Sequence, residues 1–169
     1  MNTIAVDTLM AQTRRLAALY RQTTGQTLPV SAELSRYDAS KLLSLSALKG
    51  AQVAGVDFVG SGPYHCKNVQ VKSRVIFNEG ATGYRIGQLN LNMAWDIVVL
   101  VLYDALYEPF AIYGASKEEV LSSLTQSTQK QARGAMSLAK FKAISQLIWT
   151  SQGGLDWGEL WQNQSKMGF

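Results

Sequence analysis

The run WDIVVLVLYD, residues 95–104, constrains the fold of this chain more than any other segment. Its central residues, IVVLVLY, leave no position for a polar side chain that faces water. Apolar runs of this kind form central strands of sheets that are covered on both faces. The segment EPFAIYGA, residues 108–115, follows a short turn and is predicted to pair with this strand. The rest of the chain must therefore supply cover for two faces of a sheet.

Two helices are predicted ahead of the sheet. Apolar residues recur at helical spacing over about residues 3–24, and Gly25 supplies a stop signal. A second apolar period begins at Ser31, a residue type that suits an N-cap, and is predicted to end near Gly50. Each helix has one apolar face, so each is expected to pack against the sheet.

Two further helices are predicted after the strands. Ser116 and Glu119 have the spacing of a capping box, which marks the helix start in SKEEVLSSL. The segment SLAKFKAISQLIWTS, residues 137–151, places its large apolar residues on one helical face. It predicts a last long helix, which Gly153 ends.

Between the two pairs of helices, the pattern changes from helical period to alternation. GVDFVG at residues 55–60 and KNVQVKSRVIF at residues 67–77 are separated by SGPYHC, a turn-forming cluster. This pattern predicts a β-hairpin. The following NEGATGYRIGQLNLN, residues 78–92, is rich in Gly and Asn and predicts a long loop, a kind of segment that is often functional.

The element order predicts an α/β fold in which a mixed central sheet of about four strands is flanked by helices. A single domain over residues 1–150 accounts for the length, because 169 residues bury a substantial core without disulfides or metals. The tail, residues 151–169, carries Trp157 and Trp161 and is predicted to dock on that domain. The alternative is that the tail forms an oligomer contact, as in a homodimer.

Composition excludes several classes of protein. A single cysteine, Cys66, and a single histidine, His65, leave no internal disulfide and no Cys/His zinc site. No apolar run approaches the roughly 18 residues of a membrane span, and the N-terminal segment lacks the pattern of a secretion signal. A cytoplasmic protein with no membrane partner is therefore expected.

Positive charge is concentrated in the middle of the chain. The formal net charge is +4, which favours anionic partners without requiring them. Glu79 is the only acidic residue between positions 58 and 95. The basic residues of the same stretch are Lys67, Lys72, Arg74 and Arg85. This stretch is the natural place to look for an anion site.

The predicted strand NVQVKSR, residues 68–74, lies in this basic stretch. Because successive side chains of a strand point to opposite faces, the two valines share one face. The other face carries Gln70, Lys72 and Arg74. This row is either the solvated side of a sheet or the edge of a site that handles phosphate.

A magnesium-dependent nuclease needs hard oxygen ligands for the ion and a cation beside the attacked phosphate. Asp57, the side-chain carbonyl of Gln70 and the helix carboxylate Glu33 can supply the oxygens. Lys72 can stabilise charge on the phosphate or orient the attacking water. The hairpin can bring Asp57 close to both strand residues, whereas spacing alone does not show that Glu33 reaches them.

These residues and several longer segments carry a resemblance to a known superfamily. Glu33, Asp57 and the Gln70-Val71-Lys72 triplet resemble the site pattern of the PD-(D/E)XK, or restriction-endonuclease-like, superfamily. A family of small microbial proteins assigned to that fold looks similar to the segments AELSRYDASKLL, VQVKSR, WDIVVLVLYDALYEPFAIYGAS and GAMSLAKFKAISQLIW. The resemblance covers about residues 31–150.

The resemblance implies a restriction-endonuclease-like core with Mg²⁺ (or Mn²⁺) at Asp57 and residue 70, and with Lys72 beside the scissile phosphate. One departure matters, because the acid usual in the superfamily is Gln70 here. A Gln-x-Lys version is known in the Mrr-like restriction branch. A neutral amide binds the metal less well and shifts the burden to Asp57 and Glu33.

The function expected from this pattern is metal-dependent hydrolysis of DNA phosphodiesters in restriction, repair or phage–host conflict. Arg74, Arg85 and Arg36 are the candidate contacts to DNA phosphates, with solvated surface charges as the alternative. A catalytically inactive module of the same fold that binds nucleic acid or protein is the second hypothesis. A structural subunit that touches no nucleic acid is the third.

Overall fold

The computed structural model describes residues 5–125 and 136–158 and is a mixed α/β structure. Its helices are α1 (Val6–Thr24), α2 (Ser31–Leu42), α3 (Lys117–Thr125) and α4 (Leu138–Ile144). Its strands are β1 (Phe58–Val59), β2 (Asn68–Val75), β3 (Ile97–Tyr103), β4 (Pro109–Ser116), β5 (Gln146–Thr150) and β6 (Gly154–Leu155). The predicted fold class is confirmed at this level.

The strands form one mixed sheet of six strands in the order β1-β2-β3-β4-β5-β6. β2 and β3 are parallel, and every other neighbouring pair is antiparallel. The prediction of about four strands was wrong for two reasons. β6 has only two residues, which is too short to leave an alternating pattern. β5 lies in a segment whose apolar residues also fit a helix.

β3 is the central strand that its sequence predicts, because all seven of its residues are buried. One face contributes Val99, Val101 and Tyr103 to an apolar cluster that includes residues of α1 and α2, which we call the first core. The other face contributes Val98 and Leu100 to a cluster with residues of α3 and α4, the second core. Both faces of the sheet are therefore covered.

The prediction of a last long helix over residues 137–151 was wrong. α4 ends at Ile144, and the chain continues as β5, which pairs antiparallel with β4. Leu147 is 47% exposed whereas Ile148 is 1% exposed, so burial alternates as it does on a strand. A short apolar run fits both periods, and the open edge of β4 decides in favour of the strand.

The predicted end of the second helix near Gly50 was also wrong. α2 ends at Leu42, and Ser44 has a positive φ of 52°. The chain then turns so that Ser46 exchanges two main-chain hydrogen bonds of 2.9 Å with Val59. This pairing puts residues after α2 alongside β1.

The predicted capping box is present. The Ser116 N–H donates to the Glu119 carboxylate at 2.7 Å, and the Glu119 N–H donates to the Ser116 hydroxyl at 3.2 Å. In the tail, the rings of Trp157 and Tyr64 pack edge to face with centroids 5.1 Å apart. The rest of the tail from residue 159, including Trp161, lies outside the described residues.

Within residues 5–125 and 136–158, none of the helices combines the length and apolar character needed to cross a membrane.

Candidate functional site

Asp57 is fixed at the edge of the sheet by both its main chain and its side chain. It directly precedes β1, and its N–H donates to the Val69 carbonyl at 2.8 Å. Its Oδ2 accepts the Val71 N–H at 2.7 Å. The carboxylate therefore accepts the Val71 N–H in place of a main-chain carbonyl of a paired strand, because β1 has not yet begun at this point. This hydrogen bond to β2 sets the orientation of the side chain.

Gln70 does not belong to a solvated row. It lies on β2 between the two residues that hydrogen-bond to Asp57, and it is only 8% exposed. Its Oε1 is buried and has no hydrogen-bond partner within the part of the chain that the structure describes. A buried acceptor without a partner costs roughly 1–3 kcal/mol. Such an atom calls for an occupant, either a cation or a hydrogen-bond donor.

Lys72 lies two residues farther along the same face of β2. It is level with Leu100 of β3, so it points toward the second core. The loop passes over it at Gly87, where a β-carbon would lie 3.8 Å from the Lys72 Nζ. Burial lowers the pKa of Lys72 below its ordinary value, and the nearby negative charge of Asp57 offsets only part of this shift.

Arg36 connects Asp57 to the candidate carboxylate of α2. Its guanidinium forms an ion pair with Glu33, and its Nη1 lies 3.9 Å from the Asp57 Oδ1. The Glu33 side chain is 67% exposed. Glu33 therefore joins the site through Arg36, and within residues 5–125 and 136–158 no three His, Cys, Asp or Glu side chains form a group that could hold a metal ion.

The site therefore wraps around the edge of the sheet. Arg36 and Glu33 belong to α2, whose buried residues pack in the first core. Lys72 lies on the opposite face, and Asp57 stands between them at the edge. Arg36 thus approaches Asp57 from one face of the sheet, and Lys72 lies on the other face.

Arg74 lies two residues beyond Lys72 on the same face, and its guanidinium makes a hydrogen bond within the protein. Its guanidinium donates to the main-chain carbonyl of Arg85, and its Nε is buried without a hydrogen-bond partner in the described part of the chain. The Arg85 side chain is exposed. Arg74 therefore positions the loop, whereas Arg85 remains available to solvent.

The cover that the loop provides was missed in the sequence. Ile86 and Leu89 are 3% and 1% exposed and pack in the second core, although their segment is rich in Gly and Asn. The Ile86 N–H donates to the Met136 carbonyl at 3.1 Å, which ties the loop to the start of the α4 region. The large apolar residues of the loop, Tyr84, Ile86, Leu89 and Leu91, were the available signal.

Comparison with known proteins adds no relative. Neither a scan against models of known protein families nor a search of curated proteins found a match. The likeness to the restriction-endonuclease-like superfamily thus rests on the motif residues and on the order of the segments that carry them.

Proposed function

We propose that this chain is a Mg²⁺-dependent nuclease of the restriction-endonuclease-like kind that acts on DNA phosphodiesters. The observation that supports it best is the buried Gln70 Oε1, which has no hydrogen-bond partner within the described residues and lies on β2 between the two residues that hydrogen-bond to Asp57, with Lys72 two residues farther along the same face. A carboxylate, an unpaired amide oxygen and a poorly solvated ammonium together suit a metal and a phosphate.

Two protein oxygens would hold the magnesium ion in this proposal. The Oδ2 of Asp57 is used by the sheet, which leaves Oδ1 as the ligand, and the buried Gln70 Oε1 is the second protein oxygen. Mg²⁺ binds with one or two carboxylates and keeps several waters, so a small set of protein ligands is sufficient. When bound, the ion would polarise a phosphoryl oxygen and lower the pKa of a coordinated water.

Lys72 binds the attacked phosphate in this proposal. Its ammonium is poorly solvated, as the lowered pKa indicates, so it gains more from an incoming anion than an exposed lysine does. It then stabilises the charge that develops on the phosphate oxygens. Arg36 lies near Asp57 and pairs with Glu33, so displacing its guanidinium would leave both carboxylates able to hold the ion.

A plasmid-nicking assay with Mg²⁺ and with Mn²⁺ tests the proposal. Asp57→Asn and Lys72→Met should abolish nicking. The matched controls are Asp156→Asn, an aspartate that also accepts a main-chain N–H, at 2.8 Å from Gly158, and Lys49→Met, an exposed lysine. Nicking that survives in both site variants rules out this site. Crystals soaked in Mn²⁺ should show an ion between Asp57 and Gln70.

The second hypothesis, an inactive module that binds nucleic acid, has one observation in its favour. Arg36 already lies near Asp57 and pairs with Glu33, so the two carboxylates share one cation within the chain. In that case the protein binds DNA with an affinity that falls steeply with salt and never nicks it. If the protein neither binds nor nicks DNA, the third hypothesis, a structural subunit, is favoured. A measurement of molecular mass in solution tests the homodimer separately.

A further inference from the structure

A groove of about 400 Å³ opens on the second-core side of the sheet. Its apolar walls include Ile76, Tyr84 and Phe110, and it also contains one carboxylate and one ammonium, from Glu79 and Lys142. The volume is in the range of sites that bind small organic molecules, roughly 300–1,000 Å³. Aromatic rings with two opposite charges suit a planar polar ligand.

The groove walls are held in place by hydrogen bonds. The Tyr84 hydroxyl accepts the Asn78 N–H at 3.1 Å and donates to the Asn78 carbonyl at 3.2 Å. The Leu138 N–H donates to the Tyr84 carbonyl at 2.8 Å, so the loop is tied to α4 across the groove. The Tyr84 ring is therefore fixed at both ends before any ligand arrives.

The groove continues the row that begins at the candidate phosphate site. The same face of the chain carries Lys72, Arg74 and Ile76, which are two residues apart. The strand geometry extends to Ile76, because its N–H still donates to the Tyr103 carbonyl at 2.8 Å. Strand geometry separates positions 72 and 76 by ~13 Å. A nucleic-acid strand covers that distance with about four stacked nucleotides, at roughly 3.4 Å each, and with fewer when extended.

We propose that the groove binds an unpaired nucleobase of the strand whose phosphate lies at Lys72. The base stacks on the rings of Tyr84 and Phe110, and the exposed Arg85 contacts a phosphate between the two sites. Lys142 binds a phosphate on the far side. The Glu79 carboxylate only accepts hydrogen bonds, so it favours bases that carry an amino group over thymine. This inference rests on the proposed function, because it assigns the strand that the nuclease would cut.

Titration with the four deoxynucleoside monophosphates tests the groove directly. Binding is followed by nuclear magnetic resonance shifts of the aromatic rings in the full chain. Phe110→Leu should weaken binding about tenfold, the loss of one stacking contact. Phe77→Leu is the control, because Phe77 is also partly buried but packs in the first core. Equal affinities in wild type and Phe110→Leu, or no saturable shift at millimolar nucleotide, overturn the proposal.

Oligonucleotides with one abasic position distinguish this inference from the proposed function. If both are right, one abasic position weakens binding about tenfold or more in wild type and has a smaller effect in Phe110→Leu, where only the contact with Tyr84 is left to lose. Cleavage without any position-specific effect refutes the groove and leaves the nuclease standing. Mononucleotide binding that depends on Phe110, in a protein that neither binds nor nicks DNA, refutes the nuclease and identifies a site for free nucleotides.

Discussion

The Oδ2 of Asp57 accepts the main-chain N–H of Val71 at 2.7 Å, while its Oδ1 lies 3.9 Å from the Arg36 Nη1. One oxygen of this carboxylate thus accepts a hydrogen bond from the sheet, and the other faces a charged group. The hydrogen bond from Val71 holds the side chain rigidly, which is what a metal ligand or a phosphate-site carboxylate requires.

Substitutions can separate the hydrogen bond that Asp57 accepts from the negative charge that it carries. Asp57→Asn keeps an oxygen that can accept the Val71 N–H, so its melting temperature should stay close to that of wild type. Asp57→Ala loses a hydrogen bond to a charged acceptor and should reduce the free energy of unfolding by about 1.5–3 kcal/mol. Both should lose metal-dependent nicking. Thermal melts followed by circular dichroism, together with the nicking assay, check the pair.

Full nicking activity in Asp57→Asn would show that the charge has no role in catalysis. A melting temperature of Asp57→Asn that falls as far as that of Asp57→Ala would show that the hydrogen bond to Val71 depends on the carboxylate charge.

Lys72→Met should reduce nicking on the order of 10²-fold or more, the usual effect of removing one group that stabilises charge in a transition state. The same variant should be at least as stable as wild type at neutral pH, because burial disfavours the ammonium in the folded protein. Urea denaturation and nicking measured on one preparation test both. A loss of activity together with a loss of stability would point to a structural role instead.

Lys72 also gives a pH dependence with a definite sign. Its pKa is lower in the folded protein than the ordinary lysine value of 10.5, so the unfolded chain binds more protons between the two values. The free energy of unfolding of wild type should therefore rise with pH in that window relative to Lys72→Met. The stability advantage of the variant should shrink toward pH 10.5, and an advantage that stays constant with pH contradicts the assignment.

The sequence predicts best the elements whose residues are compatible with only one type of secondary structure. The run at residues 97–103 has no polar position, so it had to be a doubly covered strand, and the capping box at Ser116 marks a helix start by its own hydrogen bonds. The segment at residues 146–150 fits both a helix and a strand. Only the free edge of β4 selects the strand, and that information lies elsewhere in the chain.

The candidate site also has one part that local sequence patterns predict and one part that they do not. Alternation along residues 68–75 places Gln70 and Lys72 on one face, and the hairpin register adds Asp57. The burial of Gln70 and the placement of Arg36 beside Asp57 depend on contacts between segments distant in sequence. No local pattern encodes such contacts, so the sequence left open whether the row is the solvated side of a sheet or the edge of a site.

Arg36→Gln tests whether this arginine competes with a metal ion for Asp57. Removing the guanidinium frees the Asp57 Oδ1 and the Glu33 carboxylate, so Mn²⁺ should bind more tightly, as measured by isothermal titration calorimetry. The free energy of unfolding should change by less than about 1 kcal/mol, because the Arg36 and Glu33 side chains are 39% and 67% exposed. A lower Mn²⁺ affinity in the variant would mean that Arg36 organises the site rather than blocking it.

A buried ion pair near the helices should matter for stability and leave the site chemistry unchanged. Asp38 is 5% exposed, forms an ion pair with Arg14 and accepts the Tyr103 hydroxyl at 2.5 Å. Tyr103→Phe should cost about 1.5–3 kcal/mol in urea denaturation. Tyr37→Phe is the control, because its hydroxyl also donates to an aspartate, Asp7, but at the surface. Equal costs for the two variants would contradict the role of burial.

Gln70→Glu restores the acid that is usual in the superfamily and separates a metal site from an ordinary buried amide. Without divalent ions, a carboxylate at a position that is 8% exposed should lower the melting temperature. Mn²⁺ should then raise the melting temperature of this variant more than that of wild type, because an ion that binds only the folded state adds about 2.7 kcal/mol at a hundred times its Kd. Gln70→Leu removes the amide oxygen and should show the smallest Mn²⁺ effect. If Mn²⁺ shifts all three proteins equally, the ion binds elsewhere and Gln70 is not a ligand.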